Sequence, residues 1–173
     1  DTMAIGRSLG KPLITMVHGF AREGALTLAF AGDMIVAADD ADLGYPAVPS
    51  LAGPPGMHVW FLQRILGRMR AAELIYTGEP ITATEAARIG LITRAVPAAQ
   101  LRDETMKLAG KIASMSPLAI RRTRQLFYEF EDAAFETVPE RALEALSSAF
   151  DSEDNKEAMR AFKEKRPPNW TGS

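Results

Sequence analysis

The chain has 173 residues, 47% of them hydrophobic and 24% charged, enough for a single packed core of the ordinary soluble kind. A formal net charge of −2 gives no electrostatic reason to expect nucleic acid or an anionic membrane as partner. With no cysteine there is no disulfide framework, thiolate nucleophile or zinc–cysteine site, in keeping with a cytoplasmic home, and no apolar stretch is long enough to span a bilayer.

In chain order, Asp1 to Gly10 reads as the tail of a helix, and Lys11-Pro12 opens Leu13 to Val17, an apolar and β-branched run suited to a buried strand. His18-Gly19 ends that strand. A loop containing Gly24 follows, then small and apolar residues as far as Gly32-Asp33, which predict a helix apolar nearly all round and sunk in a core. Such a junction aims unpaired N–H groups and the positive end of the helix dipole at whatever occupies the loop, a place for negative charge. Met34 to Ala38 is the next strand, so strand, helix and strand predict a βαβ crossover in an α/β sheet.

Asp39-Asp40-Ala41-Asp42 reads as a polar turn, because the twelve-residue calcium loop with its terminal glutamate is absent. Beyond the Pro/Gly-rich run from Pro49 to Gly56, the spacing of Trp60, Phe61, Ile65 and Leu66 predicts a helix that Gly67 stops, and Ala71 to Tyr76 a second short one. Thr82 and Glu85 predict a capping box, Gly90 a left-handed helix end, and Leu91 to Val96 a short strand. Helices follow at 99–114, 117–136, 140–150 and 153–165. Ser116-Pro117, a second capping box from Thr137 to Glu140, and Ser152-Glu153-Asp154 mark three of their starts.

The common catalytic signatures are missing: no Gly-x-Ser-x-Gly elbow, no P-loop and no Gly-x-Gly-x-x-Gly fingerprint occurs. His18 and His58 are the only histidines, too far apart for a helical ligand pair, so no metal site is expected. Arg121, Arg122 and Arg124 read as a solvated or subunit-facing surface rather than a phosphate site.

The run Val17-His18-Gly19-Phe20-Ala21-Arg22-Glu23-Gly24-Ala25 resembles the crotonase superfamily pattern Val-Asn-Gly-aromatic-Ala-x-Gly-Gly-Gly. In order after it, Gly32-Asp33 followed by apolar residues is similar to the family's Cys-Asp-hydrophobic segment, and Leu43-Gly44-Tyr45-Pro46 to its Phe-Gly-Gln-Pro. Leu74 to Ile81 resembles its Leu-x-x-Thr-Gly-x-x-Ile, Ala86 to Ile92 its Ala-x-x-x-Gly-Leu-Val, and Ala161 to Arg166 its Ala-Phe-x-Glu-Lys-Arg. The resemblance implies a crotonase-like α/β spiral fold, its core at residues 1–97 and a helical trimerisation region at 98–173, corresponding to the C-terminal two-thirds of such a protein. It also implies an acyl-coenzyme A thioester as substrate, no tightly bound cofactor, and assembly as a homotrimer or a hexamer of two trimers.

What the resemblance implies about residues is specific. Gly24 matches the middle glycine of the triplet, whose backbone amide is one of two donors stabilising a thioester enolate; the other donor comes from an upstream loop. A glycine kept for close packing is the alternative reading. Enoyl-CoA hydratases carry one glutamate three residues after that glycine and another directly after the Gly-x-Pro turn, and these places hold Thr27 and Ala47. Neither is an acid or a base, which leaves hydration by two glutamates in doubt. Glu23, in place of the triplet's first glycine, Tyr45 and His58 stand as substitutes for proton transfer, or as lining side chains; His18, at the family's asparagine position, reads as structural. Phe162 and Lys165 match a pair that reaches the adenine and phosphate end of coenzyme A, often from a neighbouring subunit, or are the solvated face of an amphipathic helix. Two functions follow: an acyl-CoA enzyme without the usual glutamates, or a non-catalytic acyl-CoA-binding relative.

Overall fold

The computed structural model describes residues 2–52 and 56–173. They form two compact units, one containing residues up to Ser8 together with Leu13–Leu108, the other Leu9–Pro12 with Ala109–Ser173.

The first unit begins with α1 (Thr2–Ser8) and holds two three-stranded sheets. In one, β1 (Ile14–Val17), β3 (Met34–Ala38) and β6 (Arg94–Val96) run parallel in the order β1-β3-β6, with Val17 opposite Ala37 and Ala38 opposite Val96. In the other, β2 (Phe20–Arg22) and β4 (Asp42–Gly44) are parallel and β5 (Ile81–Thr82) is antiparallel to β4. The chain therefore switches sheet at His18-Gly19, where Gly19 has φ of 65°, and again after Ala38. β3 supplies Ile35 to Ala38 to the core with no polar interruption, as expected of a central parallel strand. Leu26, Val36, Leu43 and Leu62 are fully enclosed, each contributing about 1.5–3 kcal/mol by the usual transfer scale.

Several expectations change in the folded chain. The segment read as a loop before the helix contains β2, whose Ala21 is buried between exposed Phe20 and Arg22. The helix itself, α2 (Gly24–Ala29), is not buried all round: it has six residues, and only Leu26 and Ala29 face the core. Ala25 and Leu28 instead line an open cavity of about 270 Å³ with His18, Phe20 and residues of β1. The two helices expected on either side of Gly67 do form, as the two segments of α4 (Met57–Thr77), which breaks where Gly67 takes φ of 74° and ψ of 159°. The expected strand from Leu91 shortens to β6, because Leu91 and Ile92 are core residues of the turn leaving α5 (Ala83–Arg88). α3 (Ala47–Leu51) occupies part of the Pro/Gly-rich run, and the rest of that run, 53–55, lies outside the described residues. Thr82 does cap α5, accepting from Glu85 N at 3.2 Å, but the Glu85 carboxylate turns to Arg88 instead of reaching back, so half of the capping box forms.

The second unit is helical. After α6 (Leu101–Ala113) come α7 (Pro117–Phe130), α8 (Val138–Phe150) and α9 (Glu153–Glu164). Ser116 and Ser152 cap α7 and α9 as their positions predict, whereas Thr137 donates to Ala134 O and caps nothing. Arg124 departs from the reading of its cluster as a solvated or subunit-facing surface, while Arg121 is exposed. Arg124 is buried, donates to Leu9 O and lies 4.8 Å above the Tyr128 ring, while Arg121 donates to Gly172 O at 3.3 Å. Buried Asp154 and Glu157 fasten the C-terminal tail: Asp154 accepts from the N–H groups of Thr171 and Gly172, both at 2.9 Å, and Glu157 from Asn169 N at 2.8 Å and from Arg166.

Candidate active site

The parallel pairing of β2 and β4 puts Arg22 opposite Gly44, and Glu23 N donates to Gly44 O at 3.0 Å. The next residues along both strands, Glu23 and Tyr45, therefore emerge side by side at the carboxyl ends, where open α/β sheets place their ligands. Arg22 holds this register with two hydrogen bonds to Asp42, at 2.9 and 2.5 Å. Gly44 is needed for a close approach: a Cβ there would stand 3.2 Å from Pro80 Cα.

Glu23 then starts α2 in an unusual conformation. Its φ of 50° and ψ of −121° match the first central residue of a type II′ turn, a place for glycine. A non-glycine residue there costs about 1–3 kcal/mol. The first turn of α2 follows, and Thr27 N donates to Glu23 O at 2.9 Å, which sets the two side chains on one side of the helix start. The Gly24 N–H, in that first turn, has no intrahelical acceptor. A Cβ on Gly24 would meet nothing within 4 Å, and its φ is not positive, so close packing does not account for this glycine.

The opening turn of α4 delivers His58 into the same place. His58 Nε2 is 2.8 Å from Glu23 Oε2, and its Nδ1 is hydrogen-bonded to the Thr27 hydroxyl. A carboxylate can only accept, so Nε2 carries the proton in the neutral ring and Nδ1 is left as the acceptor, with Thr27 donating. The Tyr45 ring stacks on the imidazole at 4.5 Å between centroids and fixes its plane. The His58 side chain is 11% exposed, that of Glu23 27% and Tyr45 as a whole 1%.

Two polar atoms in this cluster are buried without a hydrogen-bond partner among the described residues: Glu23 Oε1 and the Tyr45 hydroxyl. Burial pushes the Tyr45 pKa far up. The Thr27 hydroxyl lies near enough to draw it partly back without meeting the geometry of a hydrogen bond, and the charge of Glu23 raises it further. Tyr45 is thus a protonated, unsatisfied donor at neutral pH. Orphaned polar atoms of this kind mark a place where a ligand or water completes the bonding.

The three residues singled out as substitute acid–base groups thus come together, and Thr27, which the sequence presents only as a lost glutamate, joins them. The signal for it was present: Glu23 and Thr27 are four apart at a helix start. What no spacing shows is that His58 closes on both. His18 is exposed, beside the open cavity and outside this cluster, and Ala47 is a buried residue of α3. Phe162 and Lys165 belong to the second unit. Phe162 is 87% exposed, and Lys165 ends α9 with φ of 53°, a left-handed residue whose N–H closes the last turn. Among the described residues no group of His, Asp and Glu is arranged to hold a metal ion, and no helix is long and apolar enough to cross a membrane.

The family model described as enoyl-CoA hydratase/isomerase matches residues 4–173. A probable enoyl-CoA hydratase of Bacillus subtilis is 36% identical over 171 residues, 95% of this chain and 64% of its own length. A short-chain enoyl-CoA hydratase of Clostridium acetobutylicum is 36% identical over 159 residues, 91% of this chain and 60% of its own. The crystal structure of an enoyl-CoA hydratase from Bacillus anthracis superposes with a TM-score of 0.91 at 34% identity, covering 99% of this chain and 66% of that one. The fold is therefore of the crotonase type, and the chain spans about three-fifths of the length of the curated relatives it matches.

Proposed function

Since the chain belongs to the enoyl-CoA hydratase/isomerase family, we propose that it forms the larger part of an acyl-CoA-processing enzyme that stabilises a thioester enolate and transfers protons without the two hydratase glutamates. The observation that carries this is the hydrogen-bonded assembly of Glu23, His58 and Thr27 at the start of α2, where the Gly24 N–H has no intrahelical acceptor. A chain that had merely lost its glutamates would have no reason to hold a carboxylate in a strained glycine conformation against a buried imidazole.

In this reading the Gly24 N–H is one of the two donors to the thioester oxygen, where negative charge develops as the Cα–H bond breaks. Its partner amide comes from the upstream part found in longer relatives. Coenzyme A enters as part of the substrate. Phe162 supplies a flat apolar face and Lys165 a positive charge for its adenine and phosphate end, from a neighbouring copy. The second unit exposes Phe127, Phe135, Leu143, Leu146 and Phe150, an apolar surface in keeping with a trimer, or two trimers, acting in the cytoplasm.

The test is to incubate the full-length protein with enoyl-, hydroxyacyl- and malonyl-type CoA thioesters, and to analyse products by mass and by double-bond position. Turnover of at least one class is expected. Binding of acyl-CoA with no new product would leave a non-catalytic acyl-CoA-binding relative, the reading that Thr27 and Ala47 at the glutamate places favour. Sedimentation analysis of the same protein reads its assembly.

A further inference from the structure

We propose that Thr27 is a catalytic residue, its hydroxyl carrying a proton between the acyl chain of the substrate and His58 while Glu23 positions His58; this rests on the acyl-thioester reading above. The imidazole of His58 is engaged at both nitrogens. Its Nε2 faces Glu23 Oε2 at 2.8 Å, and its Nδ1 faces the Thr27 hydroxyl. A neutral imidazole has a single acceptor lone pair, and here it points at Thr27. Nothing else reaches that lone pair without displacing the hydroxyl. The ring has no freedom to turn away, because Tyr45 stacks on its face and the side chain is 11% exposed. The group that this arrangement offers to a bound molecule is therefore Thr27, a half-buried residue whose hydroxyl is polarised by a carboxylate-backed base, the pattern by which activated hydroxyls are recognised.

The step balances within the site. The C–H bond α to the thioester breaks, and its electron pair moves onto the carbonyl oxygen to give the enolate. The proton bonds to Thr27 Oγ1 as the Thr27 hydroxyl proton passes to His58 Nδ1, and the imidazolium is held against Glu23. Reversal returns a proton either to the same carbon or, when a double bond is conjugated, to the γ carbon. One group takes and gives back the proton, so the chemistry is a proton shift along the acyl chain, with no uptake of water.

The test uses full-length protein in deuterated water with saturated and unsaturated acyl-CoA thioesters, reading deuterium at the α and γ carbons by mass spectrometry. Acyl-CoA binding is followed in parallel by calorimetry. Native protein is expected to exchange. Thr27→Val, which keeps the shape and removes the hydroxyl, is expected to lose exchange by about 10²–10⁴-fold with acyl-CoA affinity retained, and Thr27→Ser to recover it to within about tenfold. His58→Gln is expected to lose exchange likewise, with circular dichroism confirming that each variant is folded. Exchange unchanged in Thr27→Val overturns the assignment of Thr27. Native protein that binds acyl-CoA and exchanges nothing overturns the relay but leaves the acyl-CoA reading standing, and failure to bind acyl-CoA at all overturns both.

Discussion

Glu23 bears the sharpest physical tension in the chain. Its carboxylate is paired with His58, yet its backbone occupies a region that suits glycine. Comparing Glu23→Gly with Glu23→Ala isolates the strain, because both variants lack the carboxylate. At an ordinary helical position alanine is the more stable by about 0.5–1 kcal/mol; here Glu23→Gly is expected to be the more stable by about 1 kcal/mol or more in denaturant titration. Equal stability would remove the strain argument. Tyr45 makes a second prediction. Its buried hydroxyl has no hydrogen-bond partner among the described residues, and leaving a polar group so costs about 1–3 kcal/mol, so Tyr45→Phe is expected to unfold at the same or higher denaturant concentration than the native chain. A marked loss of stability would mean that the hydroxyl is satisfied in solution. The acid–base candidates were legible at this scale only as residue types departing from a pattern, since the Glu23–His58 contact spans 35 positions and has no local signature.

At the scale of elements, glycines divide by the backbone they must adopt. Gly67 breaks α4 at φ of 74° and ψ of 159°, a region almost closed to other residues, so Gly67→Ala is expected to destabilise the fold by about 1–3 kcal/mol. Gly110 lies within α6 with open space at its Cβ, and Gly110→Ala is expected to stabilise by up to about 1 kcal/mol. Thermal or chemical unfolding of the two variants should therefore shift in opposite directions, and shifts of the same sign would contradict this assignment. Gly24 differs from both, being neither strained nor crowded. Proline is tolerated in a first helical turn, so Gly24→Pro is expected to fold while losing turnover with its amide donor. Turnover retained in a folded variant would remove Gly24 from the oxyanion role. The helix α2 was expected from its apolar run, and it exists. Its solvent-open face at Ala25 and Leu28 was not legible, because an apolar sequence states what a surface tolerates burying and not what covers it.

At the scale of the whole molecule, the second unit depends on two buried carboxylates that hold the tail. Arg166, aided by the Asn169 N–H, lowers the Glu157 pKa from 4.5 to about 2 despite partial desolvation. The Asp154 pKa is also lowered: desolvation by itself would raise it, but hydrogen bonds from Ser116, Gly172 and Thr171 outweigh that. A depressed acid stabilises the folded form above its ordinary pKa, and the contribution is lost as pH falls toward the folded value. The tail is therefore expected to loosen between pH 4.5 and 2. Trp170, whose indole donates to Ser114 O at 2.9 Å, reports this by fluorescence in a Trp60→Phe background. Glu157→Gln should show the loosened signal already at neutral pH, and an emission unchanged down to pH 2 would contradict the clamp.

The sequence by itself determined the α/β character of the first part, the helical character of the second, the caps at Ser116 and Ser152, and the family, through short motifs in fixed order. These are local properties, written in periodicity, capping residues and glycines within a few positions of one another. The tertiary structure decided which residues share a site. Parallel pairing of β2 with β4 sets Glu23 beside Tyr45, and the first turn of α4 brings His58 between Glu23 and Thr27. Contacts of that range depend on sheet register and helix placement, which the whole fold fixes at once. Thr27 accordingly reads in sequence as the absence of a glutamate and in the folded chain as the hydroxyl bound to the buried imidazole.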